Sequence, residues 1–136
     1  MKVALEPYSE EIKETLQKGL HAYNLSRVPD AAWKEIAVTV RDDGGTIHGG
    51  VIAYLFGDNC YIDTVWNDES TRGSGLGAKM VRLAEDEARR LGARGVWLYT
   101  MNFRAKPFYE KLGYVQFAEL QWPGSDLKRH FMRKAL

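Results

Sequence analysis

The sequence is poor in the residues that form cross-links and metal sites: its 136 residues include one cysteine and three histidines. Because Cys60 has no second cysteine to pair with, no disulfide can form within the chain, which is typical of the reducing cytoplasm. A lone cysteine and dispersed histidines do not suggest a zinc site, so no metal is expected. The chain also lacks an apolar run long enough for a membrane span or a signal peptide. We therefore expect a cytoplasmic protein with no membrane partner.

An excess of charge of one sign is also missing. The chain carries 19 lysine and arginine residues against 18 aspartate and glutamate residues, for a net charge of +1. A protein that binds nucleic acid through its phosphates usually has a clear basic excess, so nucleic acid is not expected as a partner. With 45% hydrophobic and 27% charged residues, the composition is that of an ordinary globular protein. At this length we expect one domain spanning residues 1–136.

The first half of the chain is dominated by short runs typical of strands. The predicted strands are, in order, Lys2–Glu6, Ile36–Arg41, Thr46–Phe56 and Cys60–Trp66. Turn residues at 42–45 and 57–59 separate the last three, which predicts an antiparallel meander. Between the first two strands, apolar residues recur at helical spacing after a potential N-cap at Ser9, and a short second helix is expected within Ser26–Glu35.

In the second half, helix patterns alternate with strand patterns. A helix is predicted from about Gly75 to Leu91, because its apolar residues fall on one face, and Gly92 is suited to end it. The remaining predicted elements are the strand Val96–Thr100, the helix Ala105–Leu112 and the strands Tyr114–Gln121 and Arg129–Lys134. A strand–helix–strand unit implies a parallel pair with a right-handed crossover. The sequence therefore predicts an α/β fold with a mixed sheet and helices on its faces.

Glycine is concentrated in the segment Arg72-Gly73-Ser74-Gly75-Leu76-Gly77, between a predicted strand and a predicted helix. Its three glycines remove Cβ atoms where the backbone must approach a partner closely. The N–H groups of such a segment point outward at a helix N-terminus, where the helix dipole favours an anion. Arg72 adds a full positive charge, so the segment is predicted to bind a pyrophosphate.

Two other phosphate-binding patterns do not fit this segment. A Walker A loop needs G-x-x-x-x-G-K-[ST], which no window of the sequence contains. A dinucleotide-binding fold needs G-x-G-x-x-G, whereas the glycines here stand at 73, 75 and 77. It also needs an acidic residue near the end of the next strand, where this chain has Tyr99-Thr100. A glycine-rich turn without a ligand remains the alternative.

The same segment resembles motif A, R/Q-x-x-G-x-G/A, of the GNAT superfamily of N-acetyltransferases. Arg72, Gly75 and Gly77 match this motif, and the preceding residues VWNDEST resemble the family's strand and acidic turn. Downstream, Asn102, Ala105 and the run FYEKLGY resemble the family's N-x-x-A-x-x-F-Y-x-K-x-G-F/Y segment. The two matches stand in the expected order and spacing. The resemblance therefore implies the GNAT acyl-CoA N-acyltransferase fold, a central mixed sheet with helices on both faces.

The resemblance also implies acetyl-coenzyme A as a cosubstrate. In the family, the strand that ends here near Asn67 carries a bulge and splays from the next strand, so that freed backbone groups pair with the pantetheine arm like an added strand. Asn67 replaces an apolar residue common in the family, which should matter little to a backbone contact. The implied binding residues are Val65, Trp66, Asn67, Arg72, Gly73, Ser74, Gly75, Leu76, Gly77, Asn102, Phe108 and Tyr109.

Two residues are candidates for proton transfer. Tyr109 matches the tyrosine that often protonates the departing coenzyme A sulfur, and the alternative is a core aromatic beside Phe108 and Tyr114. The acceptor amine needs a base, because a lysine-like amine has a pKa of roughly 10.4 and is mostly protonated at neutral pH. Asp63 is the best candidate in the sequence. Glu69 and an ordered water are rivals, and Asp63 could equally be a solvated strand residue.

These observations predict an enzyme, an acetyl-CoA-dependent N-acetyltransferase. It would move the acetyl group to a primary amine of a small molecule or peptide by direct attack in a ternary complex, with the N–H of Val65 stabilising the oxyanion. A non-catalytic acyl-CoA sensor and a transferase that uses another acyl-CoA donor are the alternatives. A homodimer is left open. The resemblance implies acceptor contacts at Tyr23, Trp33, Trp122 and Asp126. The two tryptophans among them hint at a partly apolar or aromatic-stacked acceptor.

Overall fold

The computed structural model describes residues 1–28, 33–101 and 105–136. The chain divides into two compact units, Met1–Ala32 and Trp33–Leu136. The first contains helix α1 (Glu10–Arg27). This helix begins at the predicted N-cap, where the Ser9 hydroxyl accepts a hydrogen bond from the N–H of Ile12 at 3.2 Å.

The second unit is built on one six-stranded sheet. Its elements are β1 (Trp33–Arg41), β2 (Ile47–Phe56), β3 (Asn59–Asn67), a 3-10 turn (Glu69–Thr71), α2 (Leu76–Arg90), β4 (Gly95–Thr100), α3 (Ala105–Lys111), β5 (Val115–Gln121) and β6 (Lys128–Ala135). The strand order is β1-β2-β3-β4-β6-β5. All neighbours are antiparallel except β3 and β4, which are parallel. The predicted mixed sheet and the parallel pair across α2 are confirmed.

One predicted element near the N-terminus is wrong, and a second falls mainly on residues outside the description. Lys2–Glu6 forms no strand, because a strand needs the backbone of a neighbour and these residues take part in no ladder of the described sheet. The side chains of Val3 and Leu5 are fully exposed. The short helix expected within Ser26–Glu35 is also not found among the described residues: α1 runs to Arg27, β1 begins at Trp33, and residues 29–32 lie outside the description.

One face of α2 supplies the helical half of the core. Met80, Val81, Ala84 and Ala88 recur at helical spacing and are each at most 1% exposed. They join a cluster with the strand residues Val51, Leu55, Leu98 and Met132. Burying a valine, leucine or methionine side chain stabilises the fold by about 1.5–3 kcal/mol. This packing fixes α2, and with it the N-terminus of the helix, against the sheet.

Helix α3 packs into the same core. Tyr109 and Leu112 belong to the cluster that α2 shares with the sheet. The ring of Phe108 lies 3.5 Å from the position that a Cβ on Gly77 would take, which is an ordinary van der Waals distance. The contact places the start of α3 beside the first turn of α2.

A buried polar cluster joins α2 to the end of β6. The carboxylate of Glu85, which is 3% exposed, accepts hydrogen bonds from the Tyr114 hydroxyl at 2.8 Å and the Lys134 ammonium at 2.7 Å. A carboxylate removed from water needs such partners, because its desolvation is otherwise costly. Burial, reinforced by Glu85, raises the pKa of Tyr114, so its hydroxyl remains a donor.

Candidate active site

A bulge in β3 and a gap beside it form the centre of the candidate site. Ile52 pairs with Thr64 and Ala53 with Ile62, so Asp63 is an extra residue in β3. On the other side, β3 pairs with β4 only from Asn59 to Tyr61. Beyond these residues the two strands separate, as the resemblance implied.

The backbone direction of each residue beyond the bulge follows from the ladder with β2. The N–H of Asp68 donates to the carbonyl of His48 at 2.8 Å. In an antiparallel ladder, every second residue of a strand directs its backbone N–H and C=O groups at the same neighbour. Counting back from Asp68, Trp66 and Thr64 therefore bond to β2, whereas Val65 and Asn67 turn their N–H and C=O groups towards the gap. Consistently, the carbonyl oxygen of Trp66 points at β2, where it lies 2.9 Å from the position of a Cβ on Gly49.

The glycine-rich loop after β3 adopts a backbone that requires glycine. Gly73 and Gly75 have φ angles of +74° and +78°, a region that other residues enter only with strain. A Cβ on either glycine would meet no atom of the described chain within 4 Å. Glycine is therefore needed here for the shape of the loop, and open space lies outside the backbone. The hydroxyl of Ser74 donates to the carbonyl of Thr71 and braces the turn.

The N-terminus of α2 has backbone donors that the described residues leave without acceptors. No side chain caps this end, and the first turn carries no acidic residue. The first bond belongs to the N–H of Lys79, which donates to the carbonyl of Gly75 at 3.2 Å, so the N–H groups of Leu76, Gly77 and Ala78 have no acceptor there. Free N–H groups, the positive end of the dipole and open space fit a pyrophosphate.

Arg72 precedes this loop and stays free to reach an anion. Its guanidinium lies 4.0 Å from the carboxylate of Glu69, and both side chains are mostly exposed. An exposed pair at this distance contributes little to stability. Arg72 can therefore exchange Glu69 for a phosphate at small cost.

A histidine held between two carboxylates anchors the start of the loop segment. The Nδ1 of His48 lies 2.6 Å from Asp68, and its Nε2 lies 2.8 Å from Asp42. Asp68 also accepts from the hydroxyl of Ser70 at 2.6 Å. The hydrogen bond from Ser70, followed by the one from His48, lowers the pKa of Asp68 to about 2. The hydrogen bonds to Asp42 and Asp68, in that order, raise the pKa of His48. We call Asp42, His48 and Asp68 the histidine clamp.

The two predicted proton-transfer residues occupy different surroundings. Tyr109 is 8% exposed and packs edge-on against the rings of Phe108 and Tyr114. Burial raises the pKa of Tyr109 to about 12, and no described residue bonds to its hydroxyl. Asp63 is exposed on the bulge, where it accepts a hydrogen bond from the Thr64 hydroxyl at 2.8 Å. No hydrogen bond of the described structure joins Asp63 to Tyr109.

The structure thus brings most of the predicted binding residues to one region. The loop, the end of β3 and Phe108 are neighbours, and Asn102 lies outside the described residues. Cys60 is 1% exposed, and burial raises the pKa of its thiol to about 11, so it is a packed side chain rather than a nucleophile. The histidine clamp escaped the sequence analysis, because nothing in the spacing of its three residues marks them as neighbours.

A groove in the second unit lies elsewhere. It measures 930 Å³ and is lined by residues at the start of β4 and the end of β6, among them Gly95, Trp97 and Ala135. The gap between β3 and β4 opens only after Trp97, at the other end of the strand. An extended arm bound along open strands does not need a deep cavity, so volume alone does not locate this site.

Comparison with known proteins decides what this arrangement is. Residues 5–114 match the Acetyltransferase (GNAT) family. The chain belongs to this family. The enzyme class and the fold predicted from the sequence are thereby confirmed: the protein is a GNAT N-acetyltransferase.

Individual relatives agree with this assignment. Acetyltransferase Atu2258 of Agrobacterium fabrum is 30% identical over 110 residues, which cover 81% of this chain and 80% of the relative. A provisionally assigned acetyltransferase from Agrobacterium tumefaciens has a crystal structure with a TM-score of 0.91 at 27% identity, covering 100% of both chains. A provisionally assigned streptothricin acetyltransferase from Bacillus anthracis, solved with acetyl coenzyme A, shares the fold: TM-score 0.67, 22% identity, 75% of this chain and 62% of that one.

Two further findings concern metals and membranes. Within residues 1–28, 33–101 and 105–136, no three histidine, cysteine, aspartate or glutamate side chains are grouped so that they could hold a metal ion. The helices of the same residues are too short or too polar to cross a membrane.

The histidine clamp makes stability depend on pH in a defined way. The pKa of His48 is raised from 6.5 in the folded protein. The stability that protonated His48 contributes is therefore complete at pH values below the pKa of the unfolded chain, and it is lost as the pH rises through the pKa of the folded protein. We expect His48→Gln to lower the melting temperature most at about pH 5 to 6, where Asp68 is also ionised, and much less at about pH 9.

His130→Gln is the matched control. The ring of His130 faces the amide oxygen of Gln116 at 2.9 Å, so this variant removes a histidine and leaves the histidine clamp intact. A melting-temperature difference for His48→Gln that stays constant from pH 5 to 9 would show that the imidazolium is not held by the two carboxylates.

Proposed function

We propose that the protein transfers the acetyl group of acetyl-CoA to a primary amine of a small molecule or peptide, by direct attack in a ternary complex. The observation that carries the proposal is the adjacency of two features: a helix N-terminus with unpartnered N–H groups, and a strand end whose backbone faces a gap. The first suits a pyrophosphate and the second suits an extended arm.

The loop and the start of α2 bind the diphosphate. The N–H groups of Leu76, Gly77 and Ala78 supply donors, and the left-handed turns at Gly73 and Gly75 keep bulky side chains out of the way. Arg72 contributes charge. The complex of the B. anthracis relative with acetyl coenzyme A supports the choice of ligand for this fold.

The gap between β3 and β4 takes the pantetheine arm. Val65 and Asn67 offer N–H and C=O groups to an added strand. The backbone of Trp66 bonds to β2 instead, so Trp66 contributes to this contact only through the residues on either side of it. In this proposal the N–H of Val65 stabilises the oxyanion that forms when the amine attacks the thioester carbonyl. One such donor is worth roughly 3 kcal/mol in the transition state.

Proton movements complete the reaction. The amine must lose a proton, and Asp63 is the proposed base, with Glu69 or a water as rivals. The C–N bond forms first and gives the oxyanion; as the oxyanion collapses to the amide, the C–S bond breaks and Tyr109 donates a proton to the departing sulfur. A pKa of about 12 keeps the phenol protonated at neutral pH. It also moves ionisation of Tyr109 out of the working pH range, so a loss of activity at moderately high pH is not the signature to seek.

Two broader expectations belong to the same proposal. The family match spans residues 5–114, which include parts of both compact units, and this supports the view that residues 1–136 act as one domain. The lone, buried Cys60 is compatible with a reducing cytoplasm.

Gly75→Val tests the pyrophosphate site. A β-branched residue at a φ of +78° is strained, and its methyl groups enter the space that the ligand needs. We expect stability to fall by about 1–2 kcal/mol and the affinity for acetyl-CoA, measured by isothermal titration calorimetry, to fall at least about tenfold, equivalent to about 1.4 kcal/mol.

Gly45→Val is the matched control, because Gly45 has a φ of +85° and equally open surroundings in the β1–β2 turn. It should cost similar stability and leave binding unchanged. If the two variants bind acetyl-CoA with the same affinity, the loop does not hold the pyrophosphate.

Tyr109→Phe tests the proton donor. The variant keeps the ring and its packing, so the melting temperature should change little. The turnover number should fall by up to about 10²–10⁴-fold with the affinity for acetyl-CoA unchanged, if proton transfer limits the rate. Turnover would be followed by thiol release with the amine that a screen identifies as the best acceptor.

Tyr114→Phe provides the comparison on a neighbouring ring. Its hydroxyl bonds to the buried carboxylate of Glu85 at 2.8 Å, so the variant should lose about 1.5–3 kcal/mol of stability and keep its turnover number. Equal turnover in wild type and Tyr109→Phe would reduce Tyr109 to a core aromatic.

A further inference from the structure

The face of the sheet turned away from the α2 core carries a row of aromatic rings, which we call the aromatic face. It consists of Tyr61, Trp97, Tyr99 and Phe131. Neighbouring centroids lie 4.4 Å apart between Tyr61 and Trp97, 6.3 Å between Tyr61 and Tyr99, and 5.9 Å between Tyr99 and Phe131. Because side chains alternate along strands, these rings lie opposite the buried core residues of β3, β4 and β6.

Arg129 lies on this face between two rings. Its guanidinium carbon is 4.2 Å from the centroid of Tyr99 and 5.1 Å from that of Trp122. No carboxylate among the described residues pairs with it, and its Nε is buried without a hydrogen-bond acceptor there. The neighbouring Lys128, by contrast, has its partner in Glu119 at 3.1 Å. Stacking on the rings holds the guanidinium of Arg129 in place. It leaves the N–H groups at the edge of the guanidinium available for a bidentate contact with a carboxylate.

The β5–β6 loop holds Trp122 in a defined position. The N–H of Trp122 donates to the carbonyl of Leu127 at 3.1 Å, and its carbonyl accepts from the N–H of Ser125 at 3.2 Å. The hydroxyl of Ser125 accepts a further bond from the N–H of Leu127 at 3.0 Å. These bonds hold the backbone of Trp122, and its ring lies against the Arg129 guanidinium before any ligand arrives, so little ordering is needed on binding.

Arg129 is also placed beside the reaction centre. Tyr99 stands two residues beyond Trp97, the last residue of β4 that pairs with β3, and so borders the gap. The phenol of Tyr61 lies within the fields of both Asp63 and Arg129: burial, the Tyr99 hydroxyl and the charge of Asp63 raise its pKa, and Arg129 opposes them. The negative side chain of Asp63 and the positive side chain of Arg129 therefore both lie near the phenols of Tyr61 and Tyr99.

We propose that Arg129 binds a carboxylate of the acceptor, and that the acceptor is a small molecule carrying both an amine and a carboxylate. The inference rests on the proposed function, because it names the acceptor class of the same site. Asp63 attracts the amine at the gap, Arg129 takes the carboxylate, and the aromatic face stacks against the intervening apolar part. An amine without a carboxylate would leave the guanidinium edge unpaired and would bind more weakly.

The experiment uses amines matched with and without the carboxylate: tryptophan and tryptamine, phenylalanine and phenethylamine, lysine and cadaverine. Each is titrated calorimetrically into the full chain, with and without coenzyme A. We expect a carboxylated member to bind wild type at least about tenfold more tightly than its partner. Arg129→Gln should remove this preference and leave the affinity for acetyl-CoA unchanged.

Arg133→Gln is the matched control. Arg133 lies on the same strand and face, 5.5 Å from the ring of Phe117, but pairs with the start of β4 rather than its end. It should keep the preference. The proposal is overturned if no carboxylated amine binds wild type more tightly than its partner, including the case in which none binds, or if the preference survives in Arg129→Gln. Acetyl-CoA binding is read separately, so its absence would instead contradict the proposed function.

Discussion

The separation of β3 from β4 is the constraint on which the rest of the site depends. One extra residue, Asp63, shifts the alternation of β3 by one position. Before the bulge, β3 bonds to β4 as a regular parallel strand; beyond it, Val65 and Asn67 turn towards a neighbour that has moved away. Backbone groups in such a place must find another partner, because unpaired N–H and C=O groups are costly when they are shielded from water. This part of β3 is therefore where we propose that a ligand supplies a matching edge.

The loop that follows uses the same principle at a helix end. The α2 core packing fixes the helix axis, and the histidine clamp ties the segment before the loop to the β1–β2 turn through His48 and Asp42. The left-handed turns at Gly73 and Gly75 then direct N–H groups into open space. A strand edge and a helix end, both without partners among the described residues, are thus held side by side by the α2 core and the histidine clamp.

The sequence was informative wherever local chemistry determines the structure. The glycines of the loop stand out in the sequence as a cluster that removes Cβ atoms, and the structure adds that Gly73 and Gly75 serve left-handed turns. The apolar spacing of α2 is equally clear. Lys2–Glu6 has the composition of a strand, but composition does not supply a pairing partner. The histidine clamp and the stacking of Arg129 between Tyr99 and Trp122 join residues far apart in the chain. Only the folded sheet brings these groups together, and no local pattern marks them.

Amide hydrogen exchange, measured residue by residue by NMR with and without acetyl-CoA, tests the account most directly. Thr64 and Trp66 already donate to β2, so their exchange should not change. The amides of Val65 and Asn67 and those of Leu76 to Ala78, which have no acceptor among the described residues, should become protected when acetyl-CoA binds. Unchanged exchange at Val65 and Asn67 in the saturated protein would contradict the claim that the gap between β3 and β4 receives the pantetheine arm.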